Sequence, residues 1–366
     1  LCRPVRRKGP GVAVSGPADD RRKGSGMSWM LWMALAVAGG LLVACPRRGL
    51  WARLREARRL AARARREDAL KHILKTEANG REATLESVSG ALQLSPQKTA
   101  GVLAELESGG LISFEGGRMH LSPEGRELAT QVVRAHRLWE RYLADCTGLT
   151  EEQWHRQAER KEHLLSRQQT EALAAELGHP SVDPHGDTIP EPGSGLPADR
   201  GASLNSLQPQ TSAVITHVED EPQPLYARLS REGLRPGVKV CVLERSPNAV
   251  RLWGQGREHI LSPVEAQSIG VEPLPDTTLR DLQGEVFLHQ LAPGQTARVV
   301  ELSPACRGWE RRRLLDLGFV PGTKVTVDMP SPLGDPRAYR VRGTLVALRQ
   351  DQARWVRVEP IEAEAA

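Results

Sequence analysis

The chain repeats itself towards its C-terminus, and that repeat constrains the fold more than any other feature. Residues 228–240 parallel residues 313–325, with Gly233, Pro236 and Gly237 matched by Gly318, Pro321 and Gly322 at an offset of 85. Val271, Glu272 and Pro273 return as Val358, Glu359 and Pro360 at an offset of 87 and close the two copies. A passage recurring at fixed spacing marks a repeated structural unit. Each copy holds short β-rich runs and one short helix, which predicts two small SH3-like β-barrels over 207–275 and 276–362. Residues 185–206, rich in Pro, Gly, Ser and Asp and without periodicity, read as a linker.

The 366 residues allow two or three domains at roughly 150 residues each. With 39% hydrophobic and 26% charged residues, the chain is neither wholly disordered nor a polytopic membrane protein. Five cysteines without a CxxC pair exclude a disulfide framework and a zinc ribbon, and fit a reducing compartment.

Charge is concentrated at the N-terminal end. Residues 1–26 carry a net +5 and residues 46–66 a net +8, so a whole-chain charge of +5 leaves −8 for residues 67–366. The basic balance therefore says nothing about nucleic-acid binding by the rest of the chain. Residues 24–46 are uncharged and apolar from Trp29, long enough for a helix to cross ~30 Å of hydrocarbon. They predict a single transmembrane helix over 27–46, in contact with membrane lipid, after a basic disordered extension (1–26). An Arg-rich juxtamembrane helix is expected next, over 47–66. By the positive-inside rule the protein is expected at the cell membrane, single-pass, with its body in the cytoplasm. Met27 is a candidate true start. A lipobox at residues 42–45 and a buried core helix are the competing readings. The 50–66 helix is read equally as lying on anionic headgroups or as a solvated linker.

Residues 67–130 read as three helices and a hairpin: 68–75, 84–92, 96–108, then 111–114 and 119–121 about Gly116-Gly117. Ser95-Pro96 is a strong helix start. This is the winged helix-turn-helix order, whose third helix presents its first residues to the DNA major groove. Those residues are Ser95, Gln97, Lys98 and Thr99, with Arg118 at the wing tip placed for a phosphate. Winged helices also mediate protein contacts, so the pattern leaves that alternative open.

Residues 131–184 read as a helical domain. His136 and Glu140 lie at i, i+4 on a helix over 132–143. His155, Glu159, Glu162 and His163 share a face about 100° wide on a helix over 151–165. Imidazoles and carboxylates on one face suit Mn²⁺, Fe²⁺ or Zn²⁺, although a solvated amphipathic face has the same composition.

Residues 135–143 (AHRLWERYL), 154–166 (WHRQAERKEHLLS) and the strings LGHP and PHGD within 177–187 resemble the diphtheria toxin repressor and manganese transport regulator family over residues 66–190. The resemblance implies a homodimer that binds double-stranded DNA when a divalent metal is bound. It places Asp68, Glu159, Glu162 and His163 at the primary metal site and His136, Glu140 and His155 at the second. Asp68 and Glu159 match the manganese-type pattern. Lys71 departs from it, standing where manganese regulators carry a ligating Glu, and an ammonium there would repel a second cation. His72 is adjacent but about 100° further round the helix. The two C-terminal units resemble the FeoA domain, the second more closely through residues 331–336 (SPLGDP) and 341–343 (VRG). Glu219, Asp220, Glu221 and Gln223 lie where such a domain lends ligands in some family members, without a clean correspondence.

The fold class expected is thus multidomain α+β: one transmembrane helix, a winged helix-turn-helix, a helical dimerisation domain and two SH3-like barrels. The expected function is a membrane-tethered, manganese- or iron-responsive transcriptional regulator, a repressor of metal-uptake genes. The alternative is a membrane-bound metal sensor or accessory protein of a ferrous-iron or manganese transporter that does not bind DNA. No GxSxG, P-loop or Cys–His nucleophile arrangement occurs, so no enzyme is expected.

Overall fold

Residues 66–78 show why a sequence of this kind folds where it does. Ala69, Leu70, Ile73 and Leu74, spaced one helical turn apart, are all buried on one face. They belong to helix α1 (Leu50–Ala78), which runs without interruption through two segments the sequence divides at residue 67. The computed structural model describes residues 29, 32–34, 50–116, 118–196, 201–331 and 334–361. Chain contacts separate residues 1–62 from residues 63–366, and every element after α1 belongs to the second of these units.

The apolar face of α1 packs against α2 (Leu85–Leu92), α3 (Pro96–Ser108) and the hairpin β1 (Ile112–Glu115) and β2 (Arg118–Leu121). Thr84 caps α2 in a reciprocal capping box with Ser87. The result is the winged helix-turn-helix order predicted.

Helix α4 (Pro123–Cys146) starts at the Ser122 cap, whose hydroxyl accepts from the Gly125 N–H, with Pro123 in the first position. It is nine residues longer at its N-terminal end than the 132–143 predicted, because Ala129 and Val133 join the core of the winged helix. Gly125 is required there: a Cβ would lie 1.9 Å from the Leu111 carbonyl oxygen. Further along, Leu138 packs on α6 (Arg167–Glu176), and Leu143 and Ala144 pack on Trp154 of α5 (Glu151–Glu162). One helix thus belongs to both the reading head and the helical domain.

The predicted linker over 185–206 begins too early. His185 and Ile189 are buried. Asp183 Oδ1 accepts from the His185 and Asp187 N–H groups at 2.8 and 2.9 Å. Arg134 and Arg137 of α4 donate to the carbonyls of Pro190 and Thr188. Turn-forming composition is read as a linker, but here the turns are closed by buried partners.

The two repeats form two six-stranded antiparallel sheets. The first contains β3 (Ala202–Ser203), β4 (Ser212–Val218), β5 (Lys239–Arg245), β6 (Val250–Gly254), β7 (Arg257–Leu261) and β8 (Ile269–Pro273), in the order β3-β8-β4-β5-β6-β7. The second contains β9 (Val286–Phe287), β10 (Thr296–Leu302), β11 (Lys324–Pro330), β12 (Arg337–Val341), β13 (Thr344–Leu348) and β14 (Val356–Ile361), in the order β9-β14-β10-β11-β12-β13. The topologies are identical, and the register matches too: Ala213 faces Val240 as Ala297 faces Val325. Their interiors join in one apolar cluster running from Leu204 to Val358.

The membrane anchor is corrected. Among the described residues no helix is long and apolar enough to cross a membrane. Of the expected span over 27–46, only residues 29 and 32–34 are described, and 1–26 lie outside the described residues. The long helix that is described, α1, carries seven arginines over 53–66, each too costly to place in hydrocarbon. The single-pass cell-membrane location and the contact with membrane lipid fall with the span.

Candidate metal centre

The centre lies where α1, α4 and α5 meet. Helical spacing puts His136 and Glu140 together on α4, where Nε2 of the histidine is 3.2 Å from Oε1 of the glutamate. The same spacing puts His155 3.3 Å from Glu159 on α5. Packing of α5 against α4 brings His155 Nδ1 to 3.1 Å from Glu140 Oε1, and His136 Nδ1 against Glu162 Oε2. The last turn of α5 and its cap residue, His163, face α1. There His163 Nε2 is 3.2 Å from Asp68 Oδ1 and 3.4 Å from Glu162 Oε1, while Nδ1 meets Glu67 Oε2 at 2.7 Å.

Among the described residues three donor groups emerge: Asp68 with Glu162 and His163; His136 with Glu140 and His155; and Glu140 with His185 and Asp220. The last two share Glu140 and form one cluster of five. Of its members, His185 was not among the expected ligands, and Asp220 was named only within the run 219–223, without a clean correspondence. His185 comes from the turn over 183–187, and Asp220 from the first β-rich unit, just after β4, 3.5 Å from His155. Both His185 nitrogens are buried without a hydrogen-bond partner, with Nε2 3.8 Å from Glu140 Oε1. A buried imidazole with two unused nitrogens beside two carboxylates fits a cation better than a hydrogen-bond network. The PHGD string and the acidic run 219–221 were the available signals. Neither shows by spacing that a residue outside the helical domain folds back onto Glu140.

Glu159 is more than half exposed and stands against His155, not within the Asp68 group where the resemblance implied it. His72 turns away from the centre, its Nε2 3.1 Å from the Ser87 hydroxyl.

Electrostatics is severe. Glu140 and Glu162 are each 1% exposed at the side chain. Burial pushes the Glu162 carboxyl up, but Lys71 and His136 outweigh it and bring it down to about 2. Glu140 is likewise held well below the carboxylate range, chiefly by His136 against the effect of burial. The histidines answer in the opposite sense. Burial opposes their charge, yet hydrogen bonds to Glu140 and Glu159 raise His155 to about 10. Asp68 and Glu67 raise His163 to about 9, and Glu140 and Asp183 raise His185 to about 9. Without metal, protons on the imidazoles neutralise the carboxylates. A divalent ion would replace those protons, and an all-nitrogen-and-oxygen donor set suits Mn²⁺, Fe²⁺ or Zn²⁺.

On the reading head, Ser95, Gln97 and Lys98 are exposed at the start of α3. Thr99 is corrected: it is fully buried, its hydroxyl donating to the Ser95 carbonyl at 3.2 Å, and it cannot reach a base. Arg118 pairs with Glu82 at 2.9 Å, both more than half exposed; a phosphate can displace so open a pair at little cost.

A winged helix joined to a helical domain with a His/Glu centre, followed by small β-rich units, defines a metal-responsive DNA-binding regulator. Residues 122–191 match the family described as "Iron dependent repressor, metal binding and dimerisation domain", and residues 202–273 and 286–360 each match the FeoA domain. The iron-dependent repressor of Mycobacterium leprae is 30% identical over 218 residues, covering 56% of this chain and 94% of that protein. The iron-dependent repressor of Mycobacterium tuberculosis is 31% identical over 223 residues, with the same coverage. Among solved structures, ScaR with bound Cd²⁺ superposes with a TM-score of 0.51 at 28% identity, covering 57% of this chain and 99% of that one. The chain belongs to the family of iron- and manganese-dependent repressors, with C-terminal FeoA domains. It is a metal-dependent transcriptional repressor and not an enzyme. A metal transporter as partner finds no support among these relatives.

Proposed function

We propose that a divalent metal, Mn²⁺ or Fe²⁺, switches this chain into its DNA-binding arrangement by joining α1 of the reading head to the end of α5, and that the genes repressed are those of metal uptake. One observation carries the reading: Asp68 projects from the helix whose opposite face is the core of the winged helix, and it meets Glu162 and His163 of the other domain. An ion held by these three would fix the head relative to the helical domain and remove freedom otherwise lost on binding DNA. His136, Glu140, His155, His185 and Asp220 would hold a second ion and tie the first β-rich unit to the same helices. The helical domain, 131–184, would pair two copies, setting two α3 helices into successive major grooves. Ser95, Gln97 and Lys98 would read bases, and Arg118 a phosphate.

The test is retention of genomic fragments by the protein with chelator, Mn²⁺, Fe²⁺ or Zn²⁺, beside the Glu162→Ala/His163→Ala variant. Metal-dependent, sequence-selective retention that the variant loses is expected. Tight metal binding with no DNA retained under any condition would refute the reading.

A further inference from the structure

Between the two flanking donor groups lies a third position that is already filled by a side chain. Lys71, one turn along α1 from Asp68, extends its ammonium between α4 and α5. Its Nζ is 2.9 and 3.1 Å from the two oxygens of Glu162 and 3.4 Å from His136 Nδ1. A carboxylate and an imidazole nitrogen converging on one point are a metal-type donor set. The ammonium is largely enclosed, with 15% of its side chain exposed, and the carboxylate it neutralises is shared with the Asp68 group.

We propose that Lys71 is a permanently installed cation of this centre: it occupies the position between His136 and Glu162, confines metal to the two flanking groups, and clasps α1 to α4 and α5 even without metal. The inference rests on the metal-centre reading above. Charge and connectivity give it two consequences. An ion at the point between His136 and Glu162 would have to take the space the ammonium fills, beside a first ion already on the same carboxylate, and is excluded. The reading head is also never fully released, because Lys71 keeps α1 paired with Glu162 of α5 when metal leaves, beside the Glu67–His163 contact. Metal then acts on an arrangement already half assembled, so the chain should respond to metal over a narrower range of DNA affinity than a repressor held by metal alone.

The experiment compares the full chain with Lys71→Glu, Lys71→Met and Lys71→Arg. Mn²⁺ stoichiometry and electron paramagnetic resonance are measured anaerobically, and hydrogen exchange of α1 amides is followed in chelator. The native chain should take up two ions with the spectrum of isolated Mn²⁺. Lys71→Glu should take up one more and show an exchange-coupled pair, while Lys71→Arg, which keeps the charge if Lys71→Met fails to fold, should behave as native. In chelator, α1 exchange should accelerate at least tenfold in Lys71→Met and Lys71→Glu. A coupled pair in the native chain, or stoichiometry and exchange unchanged by Lys71→Glu, would overturn the proposal alone. No Mn²⁺ uptake by any of the chains would overturn the metal-centre reading, and this proposal with it.

Discussion

Loading the centre with metal must expel protons, and the structure sets how many. His155 is raised to about 10 and His185 to about 9, so at pH 7.5 both carry a proton that an incoming ion has to displace. His163, at about 9, imposes the same on the Asp68 group. Each displaced proton makes apparent affinity rise about tenfold per pH unit, up to the pKa of the group concerned. His155 and His185 should therefore give the five-residue cluster about a hundredfold per unit, to which any proton on His136, raised against burial by Glu140 and Glu162, adds, and the Asp68 group about tenfold, between pH 6.5 and 8.5. Mn²⁺ titrations at three pH values, against a chelator whose own pH dependence is subtracted, give the slopes directly. Calorimetry in two buffers of different ionisation enthalpy counts the protons independently. Affinity independent of pH over this range, with no proton released at pH 7.5, would refute the account of how the imidazoles balance the carboxylates.

The metal-free protein should show the opposite trend. Groups raised in the folded state stabilise it fully below their unfolded pKa near 6.5, and that contribution fades as pH rises through about 9 to 10. Glu162, lowered to about 2, adds stability present above about 4.5 and lost as pH falls towards 2; urea denaturation in chelator across pH 3 to 10 checks both limbs. Glu162→Ala leaves Lys71 buried without its carboxylate and should cost about 3–5 kcal/mol in the same assay, much of it recovered in Glu162→Ala/Lys71→Met. Gly308 has a φ of +59°, and a Cβ there would lie 2.3 Å from the Ala144 carbonyl oxygen. Gly308→Ala should therefore destabilise by about 1–3 kcal/mol and lower the thermal midpoint. Arg118→Ala should weaken DNA binding across sequences and reduce the salt dependence of affinity by about one counterion, read from binding at several salt concentrations.

The elements with strong local signals were legible in the sequence. Ser95-Pro96 starts α3 and Thr84 caps α2. The 85-residue repeat does become two sheets of one topology. His136 and Glu140 are legible as neighbours because i, i+4 spacing puts both on one face of a helix; that His155 of α5 joins them was implied only by the family resemblance. Contacts of long sequence separation were not. Asp220 reaches His155 only because the first β-rich unit docks on α4 and α5, and no periodicity encodes that docking. His185 was hidden by turn composition that resembles a linker. Thr99 shows the converse error: being in the first turn of a recognition helix does not decide which way a side chain points. The span expected over 27–46 falls because no helix among the described residues is long and apolar enough to cross a membrane.

The continuous interior shared by the two repeats has a consequence for how this protein can be cut. Leu204, Ile215 and Val271 of the first unit belong to the same buried cluster as Phe319, Tyr339 and Val358 of the second. A stop codon arising between the copies would not simply discard a surplus module. It would strip one wall from the remaining one, lay its aliphatic side chains open to water, and hand the product to the cell's proteases. Lineages that lose the second copy must therefore resurface the first, and the substitutions by which they do so should fall on the strands and turns that here face their twin.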